Sequence, residues 1–372
     1  MVNLSSDWQR TARQAQCERK YKRIYDYVLI SMLFDFTICV TEEKLMNQAL
    51  FLTNSDVADF IDWLVTQLPV SSINVNVKSS KFVPKGINVT VKGFHKLLAH
   101  YQWATSWMDK TTNTSIRSSD WVTTKASIAQ MRSRLHSATS DADALIACES
   151  IFEWGGERNS AVGARPFLTA KSTANTLLNY LGNCESAMSL SKAHLESLQA
   201  VAKMNSMLTK VHAFYATDGL PIYDSRVAGA IAMLVELYRT CTSQKWTTLP
   251  ALLCFPVCMQ KRRMPSTYLS RTLPVPVLTN DEFSSAQWIS AKVRLGWVIQ
   301  AVLAKLATNG QDWFPTESGI TGRSHAFEAC LFMMGYDLQW AKSFSCETQV
   351  EVVHDDSQPM VAETPPQPAF SW

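Results

Sequence analysis

The segment TKVHAFYATDGLPIYDSRVAGAI, residues 209–231, contains two helix starts separated by a tight turn, and each start carries a charged side chain. From 225 to 240 the apolar residues Val227, Ile231, Leu234 and Leu237 or Tyr238 fall on one face, which predicts a helix beginning at Asp224 or Ser225. An aspartate there accepts hydrogen bonds from unpaired backbone N–H groups and meets the positive end of the helix dipole. Capping alone accounts for it. The same position also fixes an anion where a cationic transition state would be stabilised. Just upstream, NSMLTKVHAFYATDG (205–219) predicts a short helix over 206–216 with Lys210 near its start, 14 residues before Asp224. Two such helices in succession place an ammonium and a carboxylate within reach of one cleft.

Helical periodicity extends on both sides of this segment. Helices are expected over 94–108, 119–136, 141–153, 169–181, 188–202, 206–216, 225–240, 284–307 and 323–336, separated by short polar or Gly/Pro breaks. Strict alternation in SINVNVK (72–78) and GINVTVKG (86–93), with PKG between them, predicts a β-hairpin, the one clear strand signal. Residues 8–33 read as an amphipathic helix with a basic outer face, and 245–281 as irregular, proline-rich chain holding the basic cluster KRR at 261–263. The expected architecture is mainly α. It comprises an N-terminal accessory region with helices and the small hairpin (1–118), a helical core (119–344) and an acidic, disordered tail (345–372).

A hydrophobic fraction of 47% over 372 residues is ample for a large core. The longest apolar runs, such as YVLISMLF at 27–34, are too short to span a bilayer, so neither membrane insertion nor secretion is expected and the cytoplasm is the expected location. The nine cysteines form no CxxC unit and have no histidine at ligand spacing, and they read as reduced thiols. The pair Cys254 and Cys258 in CFPVC suits packing, a metal or a disulfide. The net charge of +3 hides an asymmetry, because residues 345–372 hold five acids and no Lys or Arg, which leaves the rest of the chain more basic. A basic body fits a polyanion such as DNA. No Walker loop, GxGxxG after a strand, GxSxG elbow or HExxH occurs, so no metal and no cofactor is expected.

The 209–231 segment resembles the active-site stretch of helix-hairpin-helix DNA glycosylases, in which a lysine opens the helix after the hairpin and a turn leads to an aspartate at the next helix start. The resemblance implies a helix-hairpin-helix core and puts Asp224 at the catalytic aspartate and Lys210 at the Schiff-base lysine of the bifunctional members. The glycines that usually let the hairpin approach a DNA phosphate are missing, since KMNSM occupies 203–207. The implied activity is excision of a modified or damaged base from double-stranded DNA after base flipping, and it extends to bacterial phage-defence glycosylases that remove modified bases. No protein partner is implied. On this reading Trp154 and Tyr215 either stack on the extruded base or pack in the core, and Arg226 binds a phosphate or pairs with Glu236 or another acid. His212 is either catalytic or structural, while Arg158 and Arg165, in the loop FEWGGERNSAVGARPFL (152–168), and Tyr223 complete the candidate DNA and substrate contacts. Two other readings stand beside it: a non-catalytic DNA-binding module of the same fold, and an all-α interaction protein in which Asp224 is only a cap.

Overall fold

Local side-chain caps start several of the helices in the computed structural model, which describes residues 46–157, 163–258, 277–278 and 282–344. The basic helix expected over 8–33, Arg158, the cluster at 261–263 and the acidic tail lie outside the described residues. Asn47 and Asn54 accept bonds from Leu50 N and Val57 N and so start α1 (Gln48–Thr53) and α2 (Ser55–Gln67). The hairpin expected from alternation forms as β1 (Ser72–Val77) and β2 (Ile87–Lys92), antiparallel with Ser72 opposite Lys92 and Val77 opposite Ile87. Ile73 and Val75 turn inward, as the period of two requires.

The helix expected over 94–108 does not form. A 3-10 turn covers Phe94–His100, and a second antiparallel hairpin follows, β3 (Thr105–Asp109) with β4 (Thr114–Ser118). Trp107 and Asp109 alternate into the interior, and Asn113 takes a positive φ of 52° in the turn. The buried Asp109 carboxylate is held by Thr111 N at 3.0 Å, Gln130 Nε2 at 2.8 Å and Arg134 Nη2 at 3.0 Å. One buried apolar residue in such a short strand is too few to mark the period in sequence.

From there the chain is helical. A capping box between Asp120 and Thr123 starts α3 (Trp121–His136), and Ser140 caps α4 (Asp141–Gly155). Gly156, at φ 86°, ends α4 in the left-handed conformation. The helix expected over 169–181 is two, α5 (Ala164–Thr173) and α6 (Leu177–Met188), and the one expected over 188–202 shrinks to a 3-10 turn at Leu195–Ala200. Then come α7 (Leu208–Tyr215), α8 (Ser225–Cys241), a two-residue parallel pairing of β5 (Val257–Cys258) with β6 (Val277–Leu278), α9 (Glu282–Thr308) and α10 (Gly319–Met334).

Helices α8 and α10 are buried on nearly all sides, over Val227–Tyr238 and Ser324–Met334. They touch at Gly335, where a Cβ would stand 2.1 Å from Arg226 O. One hydrophobic core runs from Phe51 to Phe344, so α1, α2 and both hairpins pack on the later helices. Among the described residues no helix is long and apolar enough to cross a membrane, and no group of three His, Cys, Asp or Glu could hold a metal ion. Cys148, Cys184 and Cys330 are free, but Cys241 is disulfide-bonded, contrary to the expectation of reduced thiols. Disulfide formation depends on proximity in space, which spacing along the chain did not reveal.

Candidate functional site

Asp224 is the N-cap of α8, its Oδ1 accepting from Arg226 N at 2.9 Å and Val227 N at 3.2 Å. Its Oδ2 is left to face two cations, with Lys210 Nζ at 3.8 Å and Arg226 Nη1 at 3.9 Å. Both Lys210 and Asp224 are buried, with 7% of each side chain exposed. Burial pushes the Asp224 carboxyl up, but the charges of Lys210 and Arg226, with the two backbone donors, more than offset it. The group is held below the usual carboxylate range and is ionised at neutral pH.

The segment KMNSM leads into α7 without glycines. Asn205 Oδ1 accepts from Met207 N and Leu208 N, both at 2.9 Å, and starts α7. Lys210, one turn on, donates from Nζ to Ser206 O at 2.7 Å. Its stem passes over Gly155, where a Cβ would stand 3.0 Å from Lys210 Cδ. A methyl group at Gly155 would push the lysine aside.

The turn before Asp224 is pinned at three successive residues, Pro221, Ile222 and Tyr223. Lys292, wholly buried on α9, donates to Pro221 O, to Thr209 O at 3.0 Å and to Thr209 Oγ1 at 3.2 Å. Ile222 N donates to Glu328 Oε2 at 3.4 Å, Tyr223 N to Thr209 Oγ1 at 2.9 Å, and Trp288 Nε1 to Tyr223 O at 2.7 Å. Thr209 and Tyr223 each adjoin one of the charged pair, so this network sets the spacing of Lys210 from Asp224. Burial draws the Lys292 ammonium down to about 7, against the opposing pull of Glu328 and Asp218.

Lys210, Asp224 and Arg226 open into a cavity of about 150 Å³. A dry cavity of roughly this volume takes a benzene-sized ring. Tyr101, Trp103, Trp121, Trp154 and Phe332 supply aromatic walls, and His325 and Glu328 on α10 supply a polar edge. Arg226 is enclosed by aromatic faces, its guanidinium carbon 4.6 Å from the Tyr336 ring centroid, 4.7 Å from Phe332 and 5.0 Å from Trp103. It does not pair with Glu236, which is bound by Arg239 at 2.7 Å.

The strips 103–106 and 153–157 also border an open groove of about 650 Å³, lined by Lys81, Arg117 and Arg165 with Glu153 and Glu157. Arg165 lies there, paired with Glu149 at 3.2 Å, and not in the cavity. Glu153 Oε2 is occupied by Met108 N at 2.9 Å.

Of the residues singled out in sequence, the fold thus brings Asp224, Lys210, Arg226 and Trp154 together. Three others lie elsewhere. His212 packs edge-on to Tyr180 at 5.8 Å, and burial, with the charge of Lys292, holds its pKa down to about 3, so it stays neutral. Tyr215 stacks on His136 at 5.0 Å. Tyr223 is fully buried with its hydroxyl donating to Pro256 O at 2.7 Å, so it serves the site through its backbone. Sequence reasoning missed Tyr101, Trp103, Trp121 and Phe332, which nothing local distinguishes from core aromatics. It also missed His325 and Glu328, whose spacing of three on a helix was a usable signal.

Comparison with protein-family models, with curated proteins and with solved structures finds no match for the chain.

Proposed function

We propose that the protein is a DNA glycosylase with a helix-hairpin-helix type of core, which flips a modified base into the aromatic cavity and cleaves its N-glycosidic bond. The observation that carries the reading is the buried pair itself: Lys210 Nζ lies 3.8 Å from Asp224 Oδ2 at the wall of a cavity sized for an aromatic ring. Opening of the C1′–N bond builds positive charge on the deoxyribose, and a carboxylate held ionised by its surroundings stabilises that charge. Aromatic walls hold the extruded base by stacking.

Lys210 gives the reaction a covalent branch. Once its ammonium has lost a proton to solvent, the amine adds to C1′ and releases a second proton to solvent while the base departs with the bonding electron pair and takes up a proton; opening of the sugar ring moves the last amine proton to O4′ and leaves an imine. In the absence of that addition, a water takes the same place and an abasic site results. The open groove beside the cavity, with Lys81, Arg117 and Arg165 along it, is suited to the strand backbone. Modified DNA of an invading phage, met in the cytoplasm, is the substrate class that the divergent hairpin suits best.

The test is mass spectrometry of bases released from damaged genomic DNA and from hypermodified phage DNA, with Asp224→Asn alongside. Release of one base by the wild type alone is expected. DNA binding with no release by either protein would favour the non-catalytic module.

A further inference from the structure

Two carboxyl groups line the cavity, and their surroundings push them in opposite directions. Asp224 faces two cations. Glu328, only 6% exposed on α10, has none at ion-pairing distance among the described residues except His325, whose Nδ1 is 3.7 Å from Glu328 Oε2. Ile222 N also contacts Oε2, at 3.4 Å, so both polar contacts use one oxygen of a carboxyl that lines the cavity. His325, 8% exposed, lines the same edge, and its Nε2 is buried with no hydrogen-bond partner. Such an atom is completed by a water or by a polar ligand.

We propose that Glu328 is the acid that protonates the departing base, with His325 Nε2 holding the polar edge of that base. The inference rests on the glycosylase reading and assigns its leaving-group chemistry. As the C1′–N bond breaks, its electron pair goes to the base, and the proton on the Glu328 carboxyl passes to a ring nitrogen or exocyclic oxygen. Water or the Lys210 amine adds to C1′ and releases a proton to solvent, and the Glu328 carboxylate regains a proton from solvent after the base leaves. Burial raises the Glu328 carboxyl above its ordinary range; His325 and the Ile222 N–H oppose this, while the charge of Asp224 adds to it. The other groups acting on it are Tyr101 in the cavity wall, Cys330 on its own helix and Lys292 on α9, which is bound by three oxygens. A pair of carboxyls displaced in opposite directions is the arrangement by which one site holds an acid and an anion together.

Infrared difference spectroscopy of wild type minus Glu328→Gln, followed through a pH titration, reads the proton without any substrate. A protonated-carboxyl C=O band that persists in the wild type to higher pH than for an ordinary glutamate, and is lost in the variant, is expected; a band that titrates at or below the ordinary range would overturn the proposal. With hypermodified phage duplex as the probe, wild-type release falls as pH rises through the Glu328 pKa. Glu328→Gln lowers the rate by about 10²–10⁴ and removes that alkaline limb while DNA affinity is kept. Equal release by both proteins at every pH would sink the inference and leave the glycosylase reading standing, whereas no release by the wild type on any DNA would sink both. The band and the limb require folded wild type, so they still decide where the variant folds poorly: a wild type that releases base without an alkaline limb contradicts the proposal.

Discussion

The cavity and the groove share the strips 103–106 and 153–157 as a common border, yet they are built on opposite principles. In the cavity, charges are buried, held by backbone and aromatic groups, and fixed in position. In the groove they sit on an open surface, and Arg165 is neutralised by Glu149. Fixed charges in a low-dielectric pocket act strongly on a nearby transition state, whereas exposed charges are screened and serve to hold a polyanion. Catalysis and grip should therefore separate on mutation.

The largest expected effect is that of Asp224→Asn, which lowers base release by about a hundredfold or more. The amide still accepts the cap hydrogen bonds, so unfolding free energy falls by no more than about 2 kcal/mol and DNA affinity is retained. Single-turnover release, urea unfolding and fluorescence anisotropy check the three parts. Lys292→Met comes next, because it leaves Thr209 O and Pro221 O short of a buried donor and should cost about 1–3 kcal/mol in urea unfolding. Substitution of Lys210 by Met removes the adduct that borohydride would trap with substrate DNA, and a trapped adduct in that variant would exclude Lys210 as the nucleophile.

In the groove, the double change Lys81→Glu with Arg117→Glu should weaken DNA binding by about tenfold and reduce the salt slope by about two, with release at saturating protein unchanged. Loss of release there, with affinity intact, would break the division between the two regions. The smallest effect concerns pH. The lowered pKa of Asp224 means that its ionised form stabilises the fold at neutral pH, and this contribution is lost as pH falls through that pKa. The stability gap between wild type and Asp224→Asn should close on acidification, as paired urea titrations would show.

Which parts of this were legible in the sequence follows from the range of the interactions. The starts of α7 and α8 were legible because caps and charged residues are local, and β1 with β2 because six alternating residues mark a period. The hairpin of β3 and β4 was hidden, since its inward face amounts to Trp107 and Asp109 and its order depends on contacts with α3 and α4. The charged half of the cavity was readable from 14 residues of spacing between Lys210 and Asp224. The aromatic half was not, because Trp103 and Phe332 reach Arg226 from more than 100 residues away on either side. His212 and Tyr215 were drawn in by their nearness to Lys210, but one short helix cannot aim all its residues the same way.

The most direct measurement is single-turnover release from one modified duplex by wild type and Asp224→Asn, at protein concentrations that saturate both. Fast release by the wild type and a rate lower by about a hundredfold or more in the variant is the predicted result. Equal rates would mean that Asp224 is a helix cap and nothing else, and would contradict the account.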